Sequence, residues 1–218
     1  MASNAALSWL DGRGWLVFAG SVQGDDAIRA RLLGTAAADG AVAVVVTQGS
    51  NLWAEQALAD LEDLGAQAGY LVDAITEDDE AIRSRLTEAG VIVIGGEESI
   101  SNLRSALTGA AIEGIQAAFE NGAVILAEGP GAMLFGAWNR LDDGNIVDGF
   151  EWLMGALIVP GAASVSNVPL TQEVMAMEPA AIAVGIGVGA ALALGPDGQV
   201  DIWGDQQVSI ALGPDFSA

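Results

Sequence analysis

Short β-branched runs alternate along this chain with longer stretches whose apolar positions recur every three or four residues. That alternation is the pattern of a parallel sheet covered by helices on both faces. Strands are expected at residues 15–19, 41–47, 68–72, 91–94 and 123–127. Helices are expected from Asp25 and Asp26 to about Ala38, then over 54–64, 80–89, 100–107 and 110–120. Thr76-Glu-Asp-Asp79 has the form of a capping box for the third of these helices, and its acids suit a helix start. Beyond Asn139 the segments shorten. Gly195-Pro-Asp-Gly198 separates two apolar runs, 190–194 and 199–203, as the turn of an antiparallel hairpin would. The expected architecture is a three-layer, doubly wound α/β fold with a mostly parallel sheet and a C-terminal β-rich extension.

The 218 residues are 52% apolar, enough to bury a sizeable sheet in one core. One domain over 1–218 is therefore expected, with the core at about 12–140 and the β-rich part at about 150–213. The two most apolar windows, 153–165 and 180–195, are broken by Gly and Pro. Both fall short of the roughly 20 residues a membrane helix needs, so they read as buried strands. The first ten residues lack a basic stretch ahead of an apolar one, so a secretory signal is not expected and the cytoplasm is the expected location.

Charge changes the picture of partners. Twenty-nine acids against seven arginines leave a formal charge of −22. Nucleic acid and anionic membrane both require phosphates to be neutralised, so neither is an expected partner. The acid excess suits solubility, a cationic partner, or a high-salt habitat.

Histidine, cysteine and lysine are absent altogether. Without an imidazole, a Ser or Thr hydroxyl lacks its usual activating base. Without a thiol or an ε-amine there is no thiolate nucleophile, no Schiff base and no P-loop lysine. A His/Cys zinc site is excluded, and no metal or cofactor is expected. Gly185-Ile-Gly187-Val-Gly189 looks like a dinucleotide fingerprint, but it precedes a strand rather than a helix, so a phosphate would meet no helix N-terminus there.

Two glycine-containing turns, 95–98 and 128–131, follow the strands at 91–94 and 123–127. Ligands on open α/β sheets bind outside such strand ends, so both turns are expected at one crevice. Strand, sharp small-residue turn and helix also describe a nucleophile elbow, whose following residue supplies an oxyanion N–H. Here the apex holds Gly129 and the next residue is Pro130, which has no N–H.

The conjunction of motifs resembles the cyanophycinase and peptidase E group of serine peptidases, which share a flavodoxin-like, class I glutamine-amidotransferase-like fold. Val91–Ile94 with Gly95-Gly96 and then Leu103 and Leu107 resembles the family's "GG-acid/Asn-Gln … L … L" segment. Ala127-Glu-Gly-Pro-Gly-Ala132 resembles its "GTSAGA" elbow. Pro160-Gly161 and the run to Asn167 resemble the stretch ending in the family's His. Val184-Gly-Ile-Gly-Val-Gly189, Ala191-Leu192 and the following hairpin resemble its "GIGIDE-x-TAL … G-x-V-x-G" tail.

On that resemblance Gly129 stands at the nucleophile, Asn167 near the His, and Gly187 and Val188 at the acidic pair. The implied protein is a catalytically inactive homologue that keeps the fold for binding, regulation or assembly. Its ligand-binding candidates are Gly95, Gly96, Glu97, Glu98, Glu128 and Gly129, with Asn102 nearby. The implied ligand is an aspartyl dipeptide or a β-aspartyl-arginine unit, and a homodimer is implied too. Taken singly, each glutamate reads rather as a solvated loop acid or a helix-start charge. Two alternatives stand. In one, carboxylates among Glu97, Glu98 and Glu128 act as acid and base or hold a hard cation such as Mg²⁺. In the other the role is structural or oligomeric, with Trp138, Phe150 and Trp152 either forming an interface or packing in the core. Ser50, Ser99, Ser164 and Ser166 lack an evident base and read as turn or cap residues.

Overall fold

The computed structural model describes residues 7–21, 25–37, 40–47, 52–96 and 99–217. Strands β1 (Trp15–Ala19), β2 (Val42–Val46), β3 (Gly69–Asp73), β4 (Val91–Ile94) and β5 (Val124–Glu128) alternate with helices α1 (Asp26–Thr35), α2 (Leu52–Asp63), α3 (Asp79–Thr87), α4 (Ile100–Leu107) and α5 (Ala110–Asn121). The short helix α6 (Pro130–Met133) follows β5. Next come a small hairpin of β6 (Trp138–Arg140) and β7 (Ile146–Asp148), then β8 (Ala156–Pro160), helix α7 (Pro169–Met177), β9 (Ile182–Ile186), β10 (Ala190–Leu194), β11 (Val200–Gly204) and β12 (Val208–Leu212).

A seven-stranded sheet runs in the order β11-β10-β1-β5-β4-β2-β3. Its five strands from β1 to β3 are parallel, while β10 pairs antiparallel with both β1 and β11. The expected β-rich extension is therefore divided. The hairpin of β10 and β11 extends the main sheet, whereas β12-β9-β8 forms a separate three-stranded sheet that carries α7.

Side chains alternate across a strand, so the continuous apolar runs present two different faces. Val17, Val44, Val93 and Leu126 point toward α1 and α2, whereas Phe18, Val45, Ile92 and Ile125 join the core that holds α3, α5 and the inner face of the small sheet. Each such fully buried aliphatic side chain contributes roughly 1.5–3 kcal/mol relative to exposure.

Local signals behave as their chemistry requires, with one exception. Asp25 is the N-cap of α1 and accepts from Ala27 N–H at 2.9 Å. Ser99 is the N-cap of α4, and its hydroxyl accepts from Asn102 N–H at 3.2 Å. The capping box expected at Thr76 does not form: Asp78 is the N-cap of α3 and accepts from Ala81 N–H at 3.0 Å. Thr76 is held elsewhere, because Asp73 at the end of β3 accepts from both its hydroxyl (2.6 Å) and its N–H (3.0 Å). Burial pushes the Asp73 carboxyl up, but the bonds from Thr76 and Ile75 outweigh it and hold the group below its ordinary value.

Side chains occupy backbone groups on both outer strands of the large sheet, which discourages strand addition. On β3, Arg85 donates to the Leu71 carbonyl at 2.6 Å and Glu77 accepts from Asp73 N–H at 2.9 Å. On β11, the Asp201 carboxylate accepts from Ile202 N–H at 2.8 Å.

Of the three aromatics that read either as an interface or as core, Trp138 and Phe150 are half-buried against the cores and Trp152 is buried. Trp152 is buried between Phe119 and Phe135, and Phe150 lies edge-on to Phe135. Among the described residues, no helix is long and apolar enough to cross a membrane.

Candidate functional site

The carboxyl ends of β1, β4 and β5 meet at one edge of the sheet. The register pairs Ala19 with Glu128 and Ile94 with Ala127, so Gly95 follows directly beside Glu128. The two turns singled out in the sequence are thus neighbours, as expected from the strand pattern. Glu97, Glu98 and Ser50 lie outside the described residues.

Gly129 carries the geometry of the turn. Its φ of 52° and ψ of −123° occupy a region that a side chain strains, and it turns the chain directly from β5 into α6. Its N–H donates to the Ala19 carbonyl at 3.0 Å. Pro130 opens α6 and has no N–H to offer. Gly131 presses α6 onto β4, since a Cβ there would stand 3.0 Å from the Ile94 oxygen.

The surrounding backbone is equally close-set. A Cβ on Gly20 would lie 2.2 Å from the Gly187 oxygen, so the end of β1 touches the turn between β9 and β10. A Cβ on Gly95 would lie 2.5 Å from the Trp53 ring and 3.3 Å from the Glu128 Cβ. The indole therefore covers the end of β4, and Gly96 beyond it has a φ of 120°.

Glu128 follows Val124 and Leu126 on the α1/α2 face and is 2% exposed. There the Arg29 guanidinium, itself 1% exposed, holds it in a fork with Nε to Oε1 at 3.2 Å and Nη2 to Oε2 at 3.0 Å. The third donor, Nη1, reaches Asp60 on α2 at 2.7 Å, and Gln56 donates to that carboxylate at 2.7 Å. Burial pushes the Glu128 carboxyl up, and the adjacent guanidinium opposes that. A two-pronged pair of this kind is short, directional and expensive to break from one side.

Arg29, Asp60, Gln56 and Trp53 did not emerge from the sequence as site residues. One signal was available for Arg29: it lies three residues before Leu32, on the stripe of α1 that the periodicity buries. Asn167 and the hydroxyls of Ser164 and Ser166 lie exposed in the turns before α7, and Asn102 is exposed on α4. Among the described residues, no three acids gather as a metal set.

At the chemical level, the site offers a sharp backbone elbow without a hydroxyl, an indole wall and a buried carboxylate occupied by arginine. Imidazole-assisted acyl transfer has no base anywhere in the chain, because it contains no histidine.

The order of strands, the elbow after β5 and the added C-terminal strands define a peptidase E-like α/β fold. The chain superposes on a peptidase from an acI-B1 Actinobacterium with a TM-score of 0.75 at 18% identity, over 94% of this chain and 93% of that one. It superposes on a protein from Listeria monocytogenes EGD-e assigned to peptidase E with a TM-score of 0.66 at 15% identity, over 88% and 99% of the two chains. No protein-family model and no curated protein matches the sequence.

Proposed function

We propose that this protein is a catalytically inactive homologue of the cyanophycinase/peptidase E-type serine peptidases that keeps the fold for binding, regulation or assembly. The observation that carries the reading is Gly129: an elbow with backbone angles of 52° and −123° and no side chain at its apex. On the alignment implied by the motifs, the nucleophile has become Gly129, the residue that should supply the oxyanion N–H has become Pro130, and the His position falls near Asn167. The missing histidine supports this independently of any alignment.

The ligand of this reading is an aspartyl dipeptide or a β-aspartyl-arginine unit. Gly95, Gly96 and Gly129 offer backbone to it, and Glu97 and Glu98 offer acidic charge to an arginine side chain. Glu128 acts from below by fixing the elbow against α1. The same reading puts the protein in the cytoplasm as a homodimer.

The test is mass-spectrometric turnover of β-Asp-Arg and a panel of Asp-X dipeptides, with and without Mg²⁺ and Ca²⁺, beside calorimetric binding of the same compounds. Binding without turnover is expected. Turnover that persists in Ser→Ala variants and disappears in Glu97→Gln or Glu98→Gln would overturn the inactive reading in favour of carboxylate or metal chemistry.

A further inference from the structure

A concave surface lies at the end of the strands opposite the elbow, where β1 begins. The segment before β1 and the turn between β10 and β11 enclose a cleft of about 560 Å³. Its apolar wall includes Trp9, Leu10, Val200 and Ile210, and its charged groups are Asp11 and Asp197. Among the described residues, neither acid meets an arginine.

The apolar wall continues beyond the cleft. Register places Val200 and Ile202 beside Leu194 and Leu192, and Ile210 and Leu212 beside Val184 and Ile182. All four outer residues therefore point into the space between the two sheets, yet each is 48–53% exposed. They form two half-open apolar rows, one on each of two edge strands. Alternate residues of an extended chain repeat at about 6.6 Å, the same spacing as within each row. Main-chain pairing along β11 is obstructed where Asp201 takes the Ile202 N–H, so recognition falls to side chains and charge.

We propose that this cleft docks an extended segment of a partner protein in which apolar side chains alternate with Lys or Arg. The apolar side chains fill the space beside Val200 and Ile210, and the cations meet Asp11 and Asp197. A partner that brings positive charge is also drawn by the net charge of −22. A second copy of this chain fits poorly: it has no lysine, five of its seven arginines are ion-paired within the fold, and Arg13 is held by the Glu120 carbonyl and Asn121.

The test is fluorescence polarisation with a labelled Lys-Val-Arg-Leu-Lys-Ile-Gly peptide, beside its counterpart carrying Glu at each cationic position. Saturable binding of the cationic peptide alone is expected. It should weaken on the order of tenfold in Asp11→Asn/Asp197→Asn, the scale of two partly exposed charge contacts, and be lost in Ile210→Lys. Glu62→Gln/Asp142→Asn removes the same charge elsewhere and should leave binding unchanged. Circular dichroism melts establish that each variant is folded. Absence of saturable binding, or equal losses in the two double variants, would overturn the proposal. So would a wild-type dimer that dissociates in Ile210→Lys without any peptide binding, since that result gives the surface to a second copy.

Discussion

At the scale of single residues, glycine has opposite meanings at two positions. Gly129 has a φ of 52° and a ψ of −123°, a conformation that a Cβ strains. Gly34 is exposed in α1 with nothing within 4 Å of a Cβ built there. Gly129→Ala should therefore lower the unfolding free energy by about 1–3 kcal/mol. Gly34→Ala should raise it by roughly 0.5–1 kcal/mol, because it restricts the unfolded chain and suits a helix. Urea titrations read both as shifts of the midpoint at constant slope.

At the scale of elements, the question is what ties α1 and α2 to the end of β5. The answer is the Arg29 fork, which joins three elements through one buried guanidinium. Arg29→Met should cost about 3–5 kcal/mol by leaving Glu128 buried without its counter-charge. Arg29→Met with Glu128→Met should cost clearly less than the two single changes together, because neither charge then remains. A double-mutant cycle by denaturation measures the difference.

The pH dependence of the Arg29→Met variant has a definite sign. Burial already raises the Glu128 carboxyl, and removing the opposing guanidinium raises it further. The folded state then holds a proton that the unfolded chain releases, so stability is retained at acid pH and declines as pH rises through the raised value. Wild-type protein should show a shallower decline over the same range.

At the scale of the whole molecule, 29 acids outnumber seven arginines and leave a net charge of −22, so the carboxylates in excess repel one another across a small surface. Self-repulsion opposes compaction and is screened by salt over about 10 Å at 0.1 M. The melting temperature should therefore rise as NaCl is increased from low millimolar to about 0.5 M. A flat or falling profile in differential scanning calorimetry would show that local ion pairs, which salt weakens, outweigh the collective repulsion.

The sequence alone determined the layered α/β class, the parallel strands up to β5 and the adjacency of the two glycine turns, because strand and helix periodicities are local and β-branched runs have few ways to be buried. It also determined the absence of His, Cys and Lys chemistry, which needs no coordinates. Tertiary structure decided what local pattern could not. Glu128 looked like a crevice acid because its neighbours are turn residues, yet strand alternation and the docking of α1 turn it inward to Arg29, 99 positions away in sequence. Thr76 looked like a cap until Asp73 claimed it. The hairpin of β10 and β11 looked like an appendix, but pairing with β1 made it part of the main sheet. In each case the deciding contact is between residues that compete for one partner in space, a competition whose outcome depends on how elements pack rather than on the order of residues within them.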